Sequence, residues 1–141
     1  MSLAFLADTN VLSEPLRPRP DAGVLARLRE HAAAVGTAAP VWHELWFGVS
    51  RLPASRRRRQ LQAFLEDVAA RGVPVLPYDA AAAQWHGQER ARLASEGRTP
   101  PFVDGQIAAV AVTRGLVLVT ANVRDYEGFE GLRVEDWRTA G

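Results

Sequence analysis

In Leu3-Ala4-Phe5-Leu6-Ala7-Asp8-Thr9-Asn10, five apolar residues run straight into a carboxylate and two small polar side chains. An apolar run without polar alternation reads as a strand buried on both faces, the kind a parallel sheet covered by helices requires. The run has no basic flank and is too short for a signal peptide or a membrane span, so a cytoplasmic chain with no membrane partner is expected. Asp8 stands where this strand would leave the sheet. In open α/β sheets that is the end at which ligands bind, beside the point where strand order reverses.

Working outward, short apolar runs alternate with longer amphipathic stretches, which predicts an α/β domain with a mostly parallel sheet of about five strands. A short helix from Thr9 breaks at Pro15 and the Arg17-Pro18-Arg19-Pro20 segment. Asp21 caps a helix with the stripe Val24, Leu25, Leu28 and Ala32. Ala34 to Ala38 is a weaker strand, and Pro40 then opens a helix carrying Trp42, Leu45, Trp46 and Val49 on one face. Ser55 precedes Arg56 to Arg59 and a helix striped by Leu61, Phe64, Leu65 and Val68, ended by Gly72. Val73 to Leu76 is a strand whose Pro74 places it at a sheet edge. Asp79 caps a long helix to about Glu96. The Thr99-Pro100-Pro101 loop leads into a helix with Asp104, Ile107, Val110 and Ala111, which Gly115 ends. Leu116 to Val119 and Leu132 to Val134 complete the strands, and a single domain is expected over 1–141.

The chain has 141 residues and a net charge of +1, too weak a field to argue for nucleic acid alone. All 17 cationic side chains are arginine, and there is no cysteine. Chemistries that need lysine, such as P-loop phosphate binding and Schiff bases, are excluded, as are thiolate zinc sites and cysteine nucleophiles. Any metal must be held by oxygen or imidazole.

The acidic residues divide into those on solvated helix faces and those at strand ends or helix starts. Asp8 and Asp104 belong to the second group, and each is equally readable as a helix cap. Glu44, inside Trp42-His43-Glu44-Leu45-Trp46, is flanked by residues expected to be buried and so needs a partner. Carboxylates brought together repel one another unless a cation neutralises them, and a hard divalent ion is the economical answer. His43 and His86 read as structural. The aromatic rings of Trp42, Trp46 and Trp85 read as core or dimer interface before base stacking, and Trp137 reads as the anchor of the last strand. Arg56 to Arg59 could meet phosphates, but four charges at a helix start more often form a solvated face.

Asp8-Thr9-Asn10, Glu44-Leu45, Asp104 with Ile107-Ala108-Ala109, and Val119-Thr120-Ala121-Asn122-Val123-Arg124-Asp125-Tyr126 resemble the successive motifs of VapC-type PIN domains. The resemblance runs almost end to end, through Asp79 to Ala83, Gly87 to Leu93 and Gly131 to Trp137. It implies a three-layer α/β/α fold with strand order 3-2-1-4-5 and a Mg²⁺-dependent endoribonuclease, with Mn²⁺ able to substitute, acting on a structured RNA such as tRNA and inhibiting translation. By this resemblance Asp8, Asp104 and Glu44 match the metal-binding acids, and the fourth element falls on Asn122 or Asp125. Asp125 is favoured as the further acid, with Asn122 as an orienting amide and Thr9, Asn10 and Thr120 holding water or carboxylate oxygens. A homodimer and a VapB-type antitoxin are implied as partners. The rival readings are a PIN domain that binds RNA without cutting it and a Mg²⁺-dependent phosphoacceptor domain. The latter predicts an acidic pair after the first strand and a lysine, and the chain has neither.

Overall fold

The computed structural model describes residues 2–139; Met1, Ala140 and Gly141, within the expected 1–141 domain, lie outside them. Five strands form one sheet: β1 (Phe5–Ala7), β2 (Val35–Ala38), β3 (Val75–Leu76), β4 (Val117–Val119) and β5 (Val134–Glu135). Their order is β3-β2-β1-β4-β5, and every pairing is parallel. The order expected from the resemblance is the one found. The first four strands are shorter than their apolar runs, and β5 is displaced from the expected Leu132 to Val134 onto Val134–Glu135, because its register is set by pairing with Leu118 and Val119 of β4.

The edge position of β3 has the reason anticipated for Pro74. That residue precedes the paired pair of residues and contributes only its carbonyl, which accepts a hydrogen bond from the Thr37 amide at 2.9 Å.

Six helices connect the strands: α1 (Thr9–Leu12), α2 (Ala22–Glu30), α3 (Ala39–Ser50), α4 (Arg56–Ala70), α5 (Ala80–Ser95) and α6 (Phe102–Thr113). Their starts follow local chemistry. Asp21, Ser55 and Asp79 each accept from the backbone amide three residues on, at 3.1, 3.1 and 3.0 Å. Gly72 and Gly97, with φ of +78° and +75°, close α4 and α5 in the left-handed conformation. Pro15 does not simply end α1; it starts a separate 3-10 turn, Glu14–Leu16. Ala32 falls outside α2, in a 3-10 turn over Ala32–Ala34, and is exposed, so the stripe of α2 ends at Leu28.

The sheet separates two apolar clusters by strict alternation along its strands. Leu6, Ala38 and Leu118 join the cluster built with Val41, Leu93, Ile107 and Val110 from α3, α5 and α6. Phe5, Ala7, Val35 and Val119 join the other, with Val11, Leu12 and Val24 from α1 and α2 and with Trp137. Helices therefore cover both faces, and a two-residue period sends each strand's neighbours into different cores. Trp137 anchors its end of the chain as expected. It is buried, its ring meets Phe5 edge-on at 5.0 Å, and its Nε1 donates to Glu135 Oε1 at 2.9 Å. No helix among the described residues is long and apolar enough to cross a membrane.

Candidate active site

β1 and β4 are neighbours, and the order of the sheet reverses between them. Their register sets Ala7 beside Val119, so Asp8 and Thr120 are the next residues out of the two strands. The switch point thus delivers a carboxylate and a hydroxyl side by side, as the general rule for open α/β sheets anticipates.

Asp8 is buried and heavily tied. Its Oδ1 accepts from the Thr9 amide at 2.8 Å, and it is the N-cap of α1. Its Oδ2 accepts from Thr120 Oγ1 at 2.7 Å and from the Tyr126 hydroxyl at 3.3 Å. The capping reading of Asp8 holds and occupies only Oδ1, so it does not compete with the contacts of Oδ2. Three of roughly four acceptor positions on the carboxylate are used, leaving about one for a ligand.

A second tier fixes Thr120. Its Oγ1 accepts from Asn10 Nδ2 at 3.3 Å and from the Asn122 amide at 3.0 Å, so its own proton points to Asp8. Asn10 Oδ1 in turn accepts from the Ala121 amide at 2.9 Å, joining the start of α1 to the segment after β4.

Asp104 differs in every respect. The N-cap of α6 is Pro101, with no side-chain capping bond, and Asp104 lies inside the first turn. The cap reading of Asp104 therefore fails, because the proline pair starts the helix earlier than the carboxylate. Burial, and then the charges of Asp125 and Asp8, push Asp104 up to about 6 from the ordinary 3.8, with no hydrogen bond to offset them.

Glu44 also departs from expectation. Val41 and Val49 are buried and Trp42, Leu45 and Trp46 half-buried, but Glu44 lies on the opposite side of α3 with a side chain 44% exposed. Its charge needs no interior partner, and its near neighbour is His43 Nδ1 at 3.8 Å. Flanking aromatics hid this, since residues adjacent in a helix face different ways.

Asp8, Glu44, Asp104 and Asp125 all line one cleft of about 310 Å³, together with Thr9, Asn10, Asn122, Val103, Ile107 and Tyr126. No arginine among the described residues borders it. Among the described residues no three His, Cys, Asp or Glu side chains are already gathered as a metal cage. Mg²⁺ does not require one, because it keeps several waters and takes one or two carboxylates.

Tyr126 was not singled out from sequence. It is buried in the 3-10 turn Val123–Tyr126, and burial followed by the charges of Asp8 and Asp104 raises its pKa, so its hydroxyl remains a donor to Asp8. The one available signal was its place next to Asp125 inside the last motif.

The histidines take no part in the cleft. His86 is buried, with Nδ1 at 2.8 Å from the Tyr78 hydroxyl, and burial followed by the charge of Arg90 lowers its pKa. Trp42 and Trp46 meet edge-to-face at 6.1 Å, and Trp85 packs on Phe129 at 6.3 Å. The arginine run is divided: Arg58 donates to the Leu52 carbonyl at 3.0 Å, Arg57 borders a neighbouring groove, and Arg56 and Arg59 are exposed.

A parallel sheet with carboxylates collected at its switch point is the arrangement that the family resemblance implied, and the PIN domain model matches residues 5–128. The chain is 37% identical over 135 residues to a Shigella flexneri protein named tRNA(fMet)-specific endonuclease VapC, covering 96% of this chain and 98% of that one. The solved structure of FitAB bound to an IR36 DNA fragment contains a chain that superposes with a TM-score of 0.85 at 28% identity, covering 97% of this chain and 98% of its own. A chain of DNA-bound VapBC from Salmonella typhimurium superposes with a TM-score of 0.82 at 33% identity, covering 96% and 98%. The chain belongs to the PIN domain family, in its VapC branch of ribonucleases. The phosphoacceptor reading is thereby set aside.

Proposed function

We propose that the chain, as a single PIN domain, is the toxin of a VapBC-type pair: a Mg²⁺-dependent endoribonuclease, active also with Mn²⁺, that cuts tRNA and so inhibits translation. The observation that carries this is the cleft itself, which collects four carboxylates and no arginine among the described residues, with Asp104 pushed up to about 6 by burial and then by the charges of Asp125 and Asp8. An all-oxygen donor set with uncompensated charge suits a hard divalent cation.

Asp8 and Asp104 are assigned as the principal ligands, with Glu44 completing the metal-binding set and Asp125 as the further acid. When bound, the ion supplies Lewis-acid polarisation of a phosphodiester and lowers the pKa of a water. The chain's own part is positioning. Thr9, Thr120 and Tyr126 fix the rotamer of Asp8, leaving it one lone pair to offer. Asn10 and Asn122 fix Thr120 in turn, so misplacement at any of these donors is transmitted to Asp8. Asp104 would hold the ion in its ionised form, and Glu44, which is partly exposed at the edge of the set, would stand where it could accept a proton from an attacking water.

An antitoxin of the VapB kind is proposed as the inhibiting partner, and a homodimer as the assembly. An apolar groove of about 380 Å³ adjoins the cleft through Thr9 and Glu44, with Leu16, Leu45, Val49, Leu61 and Leu65 in its walls. A partner's amphipathic segment laid there would bring a basic residue to the acids.

The test is sequencing of RNA 5′ ends from cells expressing the chain beside cells expressing Asp8→Asn. A few dominant cuts in one tRNA class are expected, initiator tRNA first, given the name of the Shigella relative. Purified protein should cut with Mg²⁺ or Mn²⁺ and stop in EDTA. Undiminished cleavage in EDTA would overturn the carboxylate mechanism.

A further inference from the structure

Next to the cleft, and sharing no lining residue with the apolar groove, a second depression of about 410 Å³ is lined by residues that include Asn122, Arg124, Asp125, Asp136 and Arg138. It shares Asn122 and Asp125 with the cleft, so the two are continuous at the carboxyl end of β4. It brings arginine to the border of an acid cluster that has none of its own.

The two guanidinium groups are presented differently. Arg138 is fixed: Nε donates to Asp136 Oδ1 at 3.1 Å, and Nη2 donates to Asp136 Oδ2 at 2.7 Å and to the Ala121 carbonyl at 3.3 Å. None of these bonds uses Nη1. Arg124 is exposed, and the ion pairs among the described residues belong to other arginines, namely Arg17, Arg27, Arg71, Arg92, Arg114 and Arg138. Asp125 and Asp136 line the depression too. Asp136 is paired with Arg138, and Asp125 belongs to the acid set that a bound cation would compensate, which leaves Arg124 as the cation free to meet an incoming anion.

A polyanion entering the cleft meets four carboxylates, and a bound cation can compensate only the group at the reacting phosphate. The flanking phosphates need donors of their own, placed next to the cleft and outside it. We propose that this depression is a phosphate-binding subsite for RNA beside the scissile bond, with Arg124 as its exposed cation and Arg138 as its fixed donor. The proposal rests on the ribonuclease reading above. It assigns the two flanks of the cleft differently: the apolar groove serves a protein partner, and the arginine-lined depression serves the substrate backbone.

Arg124→Ala and Arg124→Glu test it, because Arg124 makes no side-chain bond whose loss would unfold the chain. Binding is measured with bulk bacterial tRNA and uncleaving Asp8→Asn protein, with and without the Arg124 change, over a range of salt. Arg124→Ala should weaken binding about tenfold and reduce the slope of log affinity against log salt by about 1. Arg124→Glu should weaken it further, and Arg124→Lys should restore part of the loss. In the cleaving parent, Arg124→Ala should raise KM and leave kcat within about twofold, the pattern of lost uniform binding. Unchanged affinity and salt slope in both Arg124→Ala and Arg124→Glu would overturn the subsite. So would a loss confined to antitoxin binding, which would give the depression to a protein partner. A parent that binds tRNA through Arg124 but never cuts it would overturn the nuclease reading and leave the subsite standing.

Discussion

Two acidic clusters in this molecule have opposite electrostatics. Glu89 on α5 and Glu96 just after its end lie near Glu130, and Arg92 is set among them. It pairs with Glu89, bonds Glu96 at 2.8 Å, lies 3.6 Å from Glu130, and donates to the Gly128 carbonyl at 2.9 Å. Glu89 is buried but accepts from the Glu130 amide as well, so its charge is satisfied twice. At the switch point, four carboxylates share a cleft with no arginine on its walls. The first arrangement fastens the segment after Asp125 to α5 and serves the fold. The second leaves repulsion in place, which costs stability and is of use only if a cation is to come.

The largest effect expected from this contrast is on catalysis. Asp8→Asn and Asp104→Asn should each lower cleavage by about 10³-fold or more, on the scale of losing a principal charge-stabilising group, with the circular dichroism spectrum unchanged. The two substitutions should then part company in stability. Asp104→Asn removes an unpaired charge and should raise the melting temperature of EDTA-treated protein, whereas Asp8→Asn disturbs three accepted bonds and should not.

In the other cluster, Arg92→Ala should lower the urea midpoint and leave the metal dependence of any remaining cleavage as it was, because a buried Glu89 loses its cation. Equal effects of Arg92→Ala and Asp104→Asn on melting temperature, in sign and size, would erase the distinction between the clusters.

A pH series sharpens it further. Asp104 holds a proton in the folded chain up to about 6 that it gives up near 3.8 when unfolded. Between these values the folded state binds more protons, so stability of the metal-free protein should fall as pH rises through the window and recover as pH drops. The shift corresponds to at most about 3 kcal/mol, nearer 1–2 kcal/mol with solvent at the cleft mouth. Chemical denaturation in EDTA from pH 4 to 7 measures it, and the slope should flatten in Asp104→Asn. The smallest effect is that of Tyr126→Phe, which removes one long bond to Asp8. Metal affinity, read by titration of cleavage against Mg²⁺, should weaken about tenfold with little change in melting temperature.

Much of the site could be read before any coordinates. Asp8 follows a doubly buried strand, and that alone sends it to the ligand-binding end of a parallel sheet. Thr120 and Asn122 follow β4 for the same reason. Glu44 enters through the family resemblance and lines the cleft, but it is not buried as expected: sequence neighbours on a helix do not share a face. The Asp104 cap failed because helix initiation by Pro100 and Pro101 competes with capping by a carboxylate, and the prolines come first. Tyr126 was missed because its partner is 118 residues away.

What the sequence determined by itself is local and periodic: which runs bury both faces, which residues cap Asp21, Ser55 and Asp79 helices, where glycine takes a left-handed turn, and which acids sit at strand ends. These depend on interactions across a few residues, which the order of side chains specifies directly. Only the tertiary structure decided which acids share a cleft, that no arginine stands among them, and that Tyr126 and Thr120 reach Asp8. Those contacts depend on the pairing of β1 with β4 and the packing of α3 and α6 across their ends. The electrostatic state of Asp104 follows from that packing, since both desolvation and the charges of Asp8 and Asp125 exist only once the chain has brought them together.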